Sequence, residues 1–345
     1  MRIEEFDYEL PTERIAQEPL PQRDASRLLS LDRRSGALRH GVFRELPELL
    51  RPGDLMVVNR SRVFPARLLG KRPKSGGRVE ILLLRPTGTA HEWEALLHPA
   101  RRLRPGEEVR ISAELGVRIL SGALAEDGRR RVRLETEADP WDALERLGHT
   151  PLPPYVERAD RPEDRERYQT VYAKERGSVA APTAGLHFTP ALLECLAARG
   201  IERAEIVLHV GPGTFRPVKA DDIAQHRVLP EPFEIPEETA GKIEATRRRG
   251  GRVVCVGTTT VRSLESRARA DGTVAAGKGE TDLVILPGFE FRATDALVTN
   301  FHLPRSSLLL LVSAFAGRAR VLAAYAEAVR SGYRFYSYGD AMLLE

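Results

Sequence analysis

Four short polar segments of this sequence carry side chains that could bind or transform a polar ligand. They are residues 181–188 (APTAGLHF), 209–216 (HVGPGTFR), 257–262 (GTTTVR) and 299–307 (TNFHLPRSS). Three of the segments contain a histidine, and an imidazole can exchange a proton near neutral pH. The neighbouring hydroxyl, amide and guanidinium groups suit a nucleoside-like or sugar-like ligand. We therefore expect the four segments to share one pocket.

Each segment follows or joins a predicted strand of an α/β domain, where the strand ends commonly carry the binding site. The sequence also allows a purely structural explanation for each. His187 could pack against the next helix or cap it, and the Gly-Pro-Gly segment could be a tight turn without a role in binding. In residues 257–262, one threonine is enough to cap a helix. Asn300 and His302 lie two residues apart on one strand face, so their side chains could form a buried hydrogen-bonded pair.

Several other kinds of site are not supported by the sequence. No P-loop motif, no Gly-x-Ser-x-Gly motif and no metal-ligand spacing of His, Cys, Asp or Glu occurs, so we predict no metal. Cys195 and Cys255 stand in apolar segments and are predicted to be reduced. The sequence has no export signal and no apolar run that could span a bilayer, so we expect a cytoplasmic protein without membrane contact. No heptad pattern is present, which favours a monomer.

The positive charge is concentrated in one part of the chain. The net charge of the whole chain is +4, whereas the stretch from Arg60 to Arg110 contains twelve Lys or Arg and five Asp or Glu, a net charge of +7. Within it, Arg101, Arg102 and Arg104 form a cluster that could meet a phosphate backbone, although such clusters often form only a solvated surface.

The pattern of elements predicts an α/β layered domain with a mixed sheet, plus an inserted small antiparallel β-barrel domain. Residues 63–149 contain six short alternating segments and almost no helical periodicity, which indicates a six-stranded barrel. Residues 1–62 and 150–345 then form the α/β domain, with predicted strands that include RVVCVG, TDLVILP and ALVTNF. Helices are predicted from Thr189-Pro190 to Gly200, near Thr260–Ala270, at Ser307–Ala316 and from about Arg318 to Ser331.

An ordered set of longer motifs identifies a family. FDYELPTERIAQEPLPQRDASRLL, VAAPTAGLHFT, HVGPGTFRPV, VGTTTVRSLES, PGFEF, TNFHLPRSSLLLLVSAFAG and YRFYSYGDAML resemble the S-adenosylmethionine:tRNA ribosyltransferase-isomerases of queuosine biosynthesis. The resemblance covers essentially the whole chain. It implies transfer and isomerisation of the ribosyl part of S-adenosylmethionine onto 7-aminomethyl-7-deazaguanine at the tRNA wobble position. Epoxyqueuosine, adenine and methionine would be the products, and S-adenosylmethionine would be consumed as ribosyl donor without any further cofactor.

That chemistry requires a base near the ribose C5′ protons and an acid or hydrogen-bond donor at the leaving adenine. We expect the catalytic groups among His187, His209, His302 and Asp24. Ribose hydroxyls, the methionine carboxylate or tRNA phosphates would be bound by Arg27, Asn59, Thr183, Thr214, Thr259, Arg262 and Asn300. Arg101, Arg102 and Arg104 would bind tRNA.

Some positions depart from the family pattern. Arg60 stands where relatives commonly have Asp, and Leu229 where a second His is often found, so His226 and Glu231 rank as weaker candidates. Two alternative functions remain open. A methyltransferase is disfavoured because no glycine-rich nucleotide loop follows the first buried strand. A non-catalytic RNA-binding module would leave the polar segments of the α/β domain unexplained.

Overall fold

A computed structural model describes residues 1–121, 128–215, 218 and 220–345, without the side chains of residues 214 and 215. In these ranges the strands are β1 (Arg27–Leu31), β2 (Leu38–Val42), β3 (Leu55–Asn59), β4 (Ser61–Val63), β5 (Arg67–Lys71), β6 (Arg78–Pro86), β7 (Glu92–His98), β8 (Glu108–Arg110), β9 (Gly116–Ile119), β10 (Arg130–Glu135), β11 (Glu175–Ser178), β12 (Glu202–Leu208), β13 (Glu231–Ile235), β14 (Val253–Val256), β15 (Gly277–Thr281), β16 (Ala296–Asn300) and β17 (Ala341–Leu344).

The α-helices of the same ranges are α1 (Leu46–Leu49), α2 (Pro140–Leu147), α3 (Asp164–Arg167), α4 (Pro190–Ala198), α5 (Glu237–Arg248), α6 (Thr258–Glu265), α7 (Ser307–Ala316) and α8 (Arg318–Arg330). Short 3-10 turns that matter below are Arg23–Ala25, Ala100–Arg102, Thr183–His187 and Pro212–Phe215. No single helix of the described ranges is long and apolar enough to cross a membrane, while α7 and α8 taken together would pass by length and composition but are bent by 114°.

A mixed nine-stranded sheet organises the α/β unit, in the order β15-β13-β12-β3-β14-β16-β17-β1-β2. Its centre is parallel, because β3 pairs in parallel with both β12 and β14, and β14 with β16. All five residues of β3 are buried, as expected for a strand covered on both faces. Leu55 and Val57 pack into one apolar cluster and Met56 and Val58 into another. The mixed α/β sheet is therefore confirmed.

The barrel is a closed six-stranded sheet in the order β10-β7-β6-β5-β8-β9. Its strand pairs are antiparallel, and the inward side chains of Leu68, Ile81 and Val117 are fully buried. The six strands coincide with the six alternating segments of the sequence, so the inserted barrel is confirmed as an architecture. The domain boundaries at residues 62/63 and 149/150 stay a prediction.

Capping chemistry explains why α4 and α7 begin where the sequence indicates. Thr189 accepts a hydrogen bond from the Leu192 amide (3.1 Å) at the start of α4, and Ser306 accepts one from the Leu309 amide (3.2 Å) at the start of α7. Gly257 precedes α6 with φ of +88°, a conformation that favours glycine. These three helix starts direct residues 181–188, 257–262 and 299–307 toward one edge of the sheet.

The predicted strand TDLVILP is wrong. The strand is instead the polar segment Gly277–Thr281, which pairs with β13, and residues 282–288 leave the sheet. The apolar side chain of Ile285 is buried without strand pairing, because it packs into the core cluster that contains Val261 and Leu311. Apolar character here reflects packing against a helix, which a short apolar run cannot distinguish from a buried strand.

We predict that Asp54 stabilises the junction of β3 with β14. The buried Asp54 carboxylate accepts from Nε and Nη2 of Arg252 (3.1 and 2.7 Å) and from the Arg51 amide (2.8 Å). Asp54→Ala should lower the free energy of unfolding by about 3 kcal/mol, because it leaves a largely buried guanidinium short of a partner. Urea unfolding followed by circular dichroism measures this effect.

Glu244→Ala is the matched control, because Glu244 pairs with Arg248 in full solvent contact. Its effect should stay below about 1 kcal/mol. An equally small loss for Asp54→Ala would contradict the assigned role of the Asp54 pair.

Candidate functional site

A mainly apolar cavity of about 340 Å³ lies where the barrel meets the sheet. Barrel residues such as Leu84 and Pro86 form one wall, and residues that follow the sheet strands, such as Val210 and Ile285, form the other. Trp141 of α2 also lines it, with the Arg176 guanidinium 5.1 Å from its ring centre. The size and the apolar walls suit a flat organic group such as a nucleobase.

Two small cavities, each with hydroxyl, amide and imidazole groups in its lining, adjoin this space. One, of about 30 Å³, is lined by Thr183, Thr258, Thr259, Asn300 and His302 among others, and it shares Val210 and Leu308 with the large cavity. The other, of about 40 Å³, shares Thr183, Asn300 and His302 with the first and adds Tyr155 and Ser337. The cavity of about 30 Å³ thus has residues of all four polar segments in its lining, with Val210 from the 209–216 segment, and the large cavity adds His209 of that segment.

Asn300 is the centre of the polar contacts. Its Oδ1 accepts from the Thr183 hydroxyl (2.9 Å), and its Nδ2 lies 3.1 Å from Nε2 of His187 and 3.3 Å from the Tyr336 carbonyl oxygen. Nδ1 of His187 lies 3.0 Å from the Ser26 hydroxyl. This contact could not be predicted from the sequence, because Ser26 and His187 are 161 positions apart along the chain.

Burial is the main reason that His187 stays neutral, and it lowers the pKa to about 3 with help from the positive charges of Arg23 and Arg334. The ring also packs against Phe43 at a centroid distance of 5.0 Å. Both ring nitrogens already have partners. The expectation that His187 itself moves a proton stays a prediction, and its two hydrogen bonds favour a role in positioning its neighbours.

His302 is a second buried imidazole and lines both small cavities. Its Nε2 lies 2.8 Å from the Thr299 hydroxyl, and its main chain is held by Tyr8 and Tyr325. Burial alone lowers its pKa to about 3. A neutral imidazole in this position can accept a proton or a hydrogen bond from a ligand.

His209 lies apart from the other two histidines, on the wall of the large cavity. Burial lowers its pKa, partly offset by Glu175 and Glu234. Its Nδ1 is buried and has no hydrogen-bond partner within the described ranges. The ring fits closely over Gly177, where an added Cβ would lie 2.7 Å from Nδ1. His209 is therefore also a neutral group at neutral pH, with hydrogen-bonding capacity that the described residues do not use.

Two candidates for substrate binding serve largely to join elements. Asn59 is fully buried, donates to the Leu208 carbonyl (2.9 Å) and accepts from the amides of Ser61 and Leu208. It also reaches Thr259 Oγ1 at 3.5 Å, so it supports a cavity residue without lining a cavity itself. Arg262 lines the large cavity but forms a buried ion pair with Glu231, whose Oε1 also accepts from the Gly211 amide (2.8 Å).

The structure does not bring two other candidates to the cavities described here. Arg27 stacks on Tyr333, with its guanidinium 3.7 Å from the ring centre, and donates to the Ser331 carbonyl (2.7 Å). Asp24 accepts from the Thr189 hydroxyl (3.3 Å) and so supports the start of α4. The Thr214 side chain and Arg216 lie outside the described residues, so their predicted roles stay predictions.

Arg101, Arg102 and Arg104 are exposed on the barrel, in and beside the turn Ala100–Arg102. No carboxylate pairs with these three guanidinium groups in the part of the chain that the structure describes. Most other barrel arginines do pair, for example Arg67 with Glu80. The turn itself is fixed by the buried Arg130, which donates to the carbonyl oxygens of Leu103 (2.7 Å) and Ala100 (2.8 Å).

No group of three or more His, Cys, Asp or Glu side chains that could hold a metal ion occurs among the described residues. Sequence reasoning ranked Glu231 low and did not consider Trp141 or Ser26 for the site. The pairing of Glu231 with Arg262 depends on β13 lying beside α6, a contact between distant parts of the chain.

An α/β unit with an inserted closed barrel, and with its polar segments gathered at their junction, defines the architecture of this protein. A sequence model of the family described as "Queuosine biosynthesis protein" matches residues 3–344. The chain therefore belongs to the queuosine biosynthesis protein family.

Relatives and a solved structure agree with this membership. The chain is 55% identical to the S-adenosylmethionine:tRNA ribosyltransferase-isomerase of Moorella thermoacetica over 347 residues, which cover 100% of both chains. It is 53% identical to the protein of the same name from Symbiobacterium thermophilum over 344 residues, again covering 100% of both. A crystal structure of S-adenosylmethionine tRNA ribosyltransferase from Thermotoga maritima is 42% identical, with a TM-score of 0.57, and the match covers 99% of this chain and 100% of that one.

We predict that the two buried histidines destabilise the fold in acid. In the folded protein His187 and His302 each have a pKa of about 3, whereas in the unfolded chain each imidazole has a pKa near 6.5. Acid therefore favours the unfolded state. Lowering the pH from 7 to about 5.5 should remove about 1 kcal/mol of unfolding free energy per histidine.

Urea unfolding at the two pH values tests this effect. His302→Asn cannot titrate, so its pH dependence should be about 1 kcal/mol weaker than that of the wild type. The exposed His98→Asn serves as the control and should follow the wild type. Identical pH dependence in His302→Asn and the wild type would show that His302 is not held neutral.

Proposed function

We propose that this protein is an S-adenosylmethionine:tRNA ribosyltransferase-isomerase. It would transfer and isomerise the ribosyl part of S-adenosylmethionine onto 7-aminomethyl-7-deazaguanine at the tRNA wobble position, and release adenine and methionine. Family membership and full-length relatives of that name support the reaction. The structural observation that carries the proposal is that a nucleobase-sized cavity adjoins a small cavity lined by hydroxyl and amide groups, with Val210 and Leu308 in both linings.

In this proposal a neutral imidazole removes a ribose C5′ proton, which the adjacent sulfonium acidifies. The carbanion-like species expels adenine, and the aminomethyl nitrogen then attacks the ribosyl carbon skeleton as methionine leaves. We assign the proton transfers to His209 and His302 because both line cavities, whereas both ring nitrogens of His187 already have partners. Asp24 remains a less favoured alternative, since Thr189 and α4 already use it.

Substrate contacts in this proposal come mainly from Thr183, Thr259 and Asn300, which line the small cavity. Arg262 would contribute from the large-cavity side, and Thr214 stays a candidate on the sequence alone, whereas Arg27 and Asn59 would act by supporting the surrounding elements. In this proposal the reaction consumes S-adenosylmethionine as its small-molecule substrate. We propose that the reaction proceeds without a metal. We also propose a cytoplasmic location and a monomer.

We expect mass spectrometry to detect the reaction on an anticodon stem-loop that carries 7-aminomethyl-7-deazaguanine. Incubation with S-adenosylmethionine and a chelator should add the ribosyl mass to the RNA and release adenine and methionine in equal amounts. A gain of one methyl mass with S-adenosylhomocysteine would instead make the protein a methyltransferase. Binding of the stem-loop without any mass change would leave the RNA-binding alternative.

We further predict that the barrel arginines contact RNA phosphates. Replacing Arg101, Arg102 and Arg104 together by Gln should weaken stem-loop binding and make the slope of log affinity against log salt shallower by about 2 to 3. Fluorescence anisotropy at several salt concentrations measures the slope.

The control removes the same amount of charge from paired arginines of the same barrel. Arg110, Arg118 and Arg133 each have a carboxylate neighbour, so Gln at these three positions should change the slope much less. Equal slopes for the two triple variants would assign the effect to net charge alone.

A further inference from the structure

A chain of hydrogen bonds runs from the Arg23 carbonyl to the cavity of about 30 Å³ that is lined by Thr183, Asn300 and the threonines of residues 258–259. The Ser26 hydroxyl donates to the Arg23 carbonyl oxygen (3.3 Å) and lies 3.0 Å from Nδ1 of His187. Nε2 of His187 lies 3.1 Å from the Asn300 amide nitrogen, and Asn300 Oδ1 accepts from Thr183 (2.9 Å). Ser26, His187 and Asn300 are each less than 5% exposed, so these bonds form without competition from solvent.

The direction of every bond in the chain is fixed by one carbonyl group. The Tyr336 carbonyl oxygen can only accept, and it lies 3.3 Å from Nδ2 of Asn300, so the amide nitrogen must face that side. The same nitrogen then donates to Nε2 of His187, and the ring proton must sit on Nδ1 and point at Ser26. Asn300 therefore has both amide protons engaged and turns its oxygen toward Thr183.

The consequence for the cavity is a defined hydrogen-bonding polarity. The Thr183 hydroxyl donates its hydrogen bond to Asn300, so its oxygen can act toward a ligand only as an acceptor. On the 257–262 side of the cavity, the hydroxyls of Thr258 and Thr259 donate to no acceptor in the described ranges. The cavity thus combines acceptors from Thr183 and Asn300 with donors from the two threonines.

We propose that this cavity binds the vicinal diol of a ribose, and that Ser26 and His187 are positioning residues that set its polarity. Each ribose hydroxyl both donates and accepts, which matches acceptors on one side and donors on the other. The cavity volume of about 30 Å³ corresponds to about two water-sized groups, as two hydroxyls require. The inference rests on the proposed function, since S-adenosylmethionine supplies the ribose.

The same polarity disfavours the methionine carboxylate, which the sequence left open for these residues. An ionised carboxylate only accepts, and it would face the lone pairs of Thr183 and Asn300 without a donor from either. A carboxylate in this cavity could accept from Thr258 and Thr259 but would leave the acceptors of Thr183 and Asn300 without a donor, which costs binding free energy.

The assignment can be tested by measuring how one substitution in the protein and three changes in the ligand affect binding, alone and in combination. The probes are S-adenosylmethionine, its 2′-deoxy and 3′-deoxy analogues, and decarboxylated S-adenosylmethionine, and the protein variant is Thr183→Val. In the wild type at least one deoxy analogue should bind about tenfold more weakly than the parent. In Thr183→Val the loss for that analogue should shrink to about twofold or less, while decarboxylation should cost the same in both proteins.

Ser26→Ala tests the positioning role at a distance from the ligand. It removes the Ser26 hydroxyl that lies beside Nδ1 of His187 and should also shrink the loss caused by the deoxy analogue, which a general loss of stability would not do. Ser313→Ala is the matched control, because Ser313 is equally buried in α7 and its hydroxyl has no partner among the described residues. It should retain the full wild-type difference between parent and deoxy ligands.

Affinities from titration calorimetry need no turnover, so this result is independent of the reaction. Equal losses for the deoxy analogue in the wild type and in Thr183→Val would overturn the ribose assignment, as would a decarboxylation effect that disappears in Thr183→Val. Failure of the wild type to release adenine would overturn the proposed reaction but not the binding assignment. Retention of the full deoxy effect in Ser26→Ala would overturn the positioning role.

Discussion

The carboxyl edge of the large sheet depends on one constraint, which is that a polar group removed from water must find a partner. Asn59, Asn300 and Arg262 all lie at this edge and are almost fully buried. Each of these side chains forms its hydrogen bonds with a separate segment of the chain. Asn59 joins β3 to the end of β12, and Asn300 joins the turn at residues 183–187 to residue 336. Arg262 joins α6 to β13 through its ion pair. Polar side chains thus hold the segments at the distances that the cavities require.

The barrel adds a wall that the sheet alone lacks. The parallel pair β4–β11 and the helix α2 connect the two units, and Trp141 of α2 packs edge-on to Trp93 of the barrel at 4.8 Å while lining the large cavity. An aromatic side chain that belongs to the barrel core on one side and to the cavity on the other couples the position of the barrel to the shape of the cavity.

The sequence predicts much of the fold, because periodicity and capping are local properties. The bounds of α7 agree with the sequence at both ends, the six barrel strands were all expected, and α4 begins at Pro190 as its cap indicates. The prediction fails at TDLVILP, where packing against a helix replaces strand pairing. For the site, the sequence identifies Thr183, Asn300 and the histidines but not their roles. Ser26 is separated from His187 by 160 intervening residues, and no local pattern reports such a contact.

The order of strands in the sheet determines what the hairpin β1–β2 needs before it can join the sheet. In the part of the chain that the structure describes, this hairpin is linked to the other strands by main-chain pairing through β17, which pairs in parallel with β1 and antiparallel with β16. Residues 341–344 must therefore be in place before residues 27–42 can join the sheet, although most of the sequence separates the two segments. Whenever β17 is out of place, β1 and β16 each expose unpaired main-chain groups, which can pair with another chain.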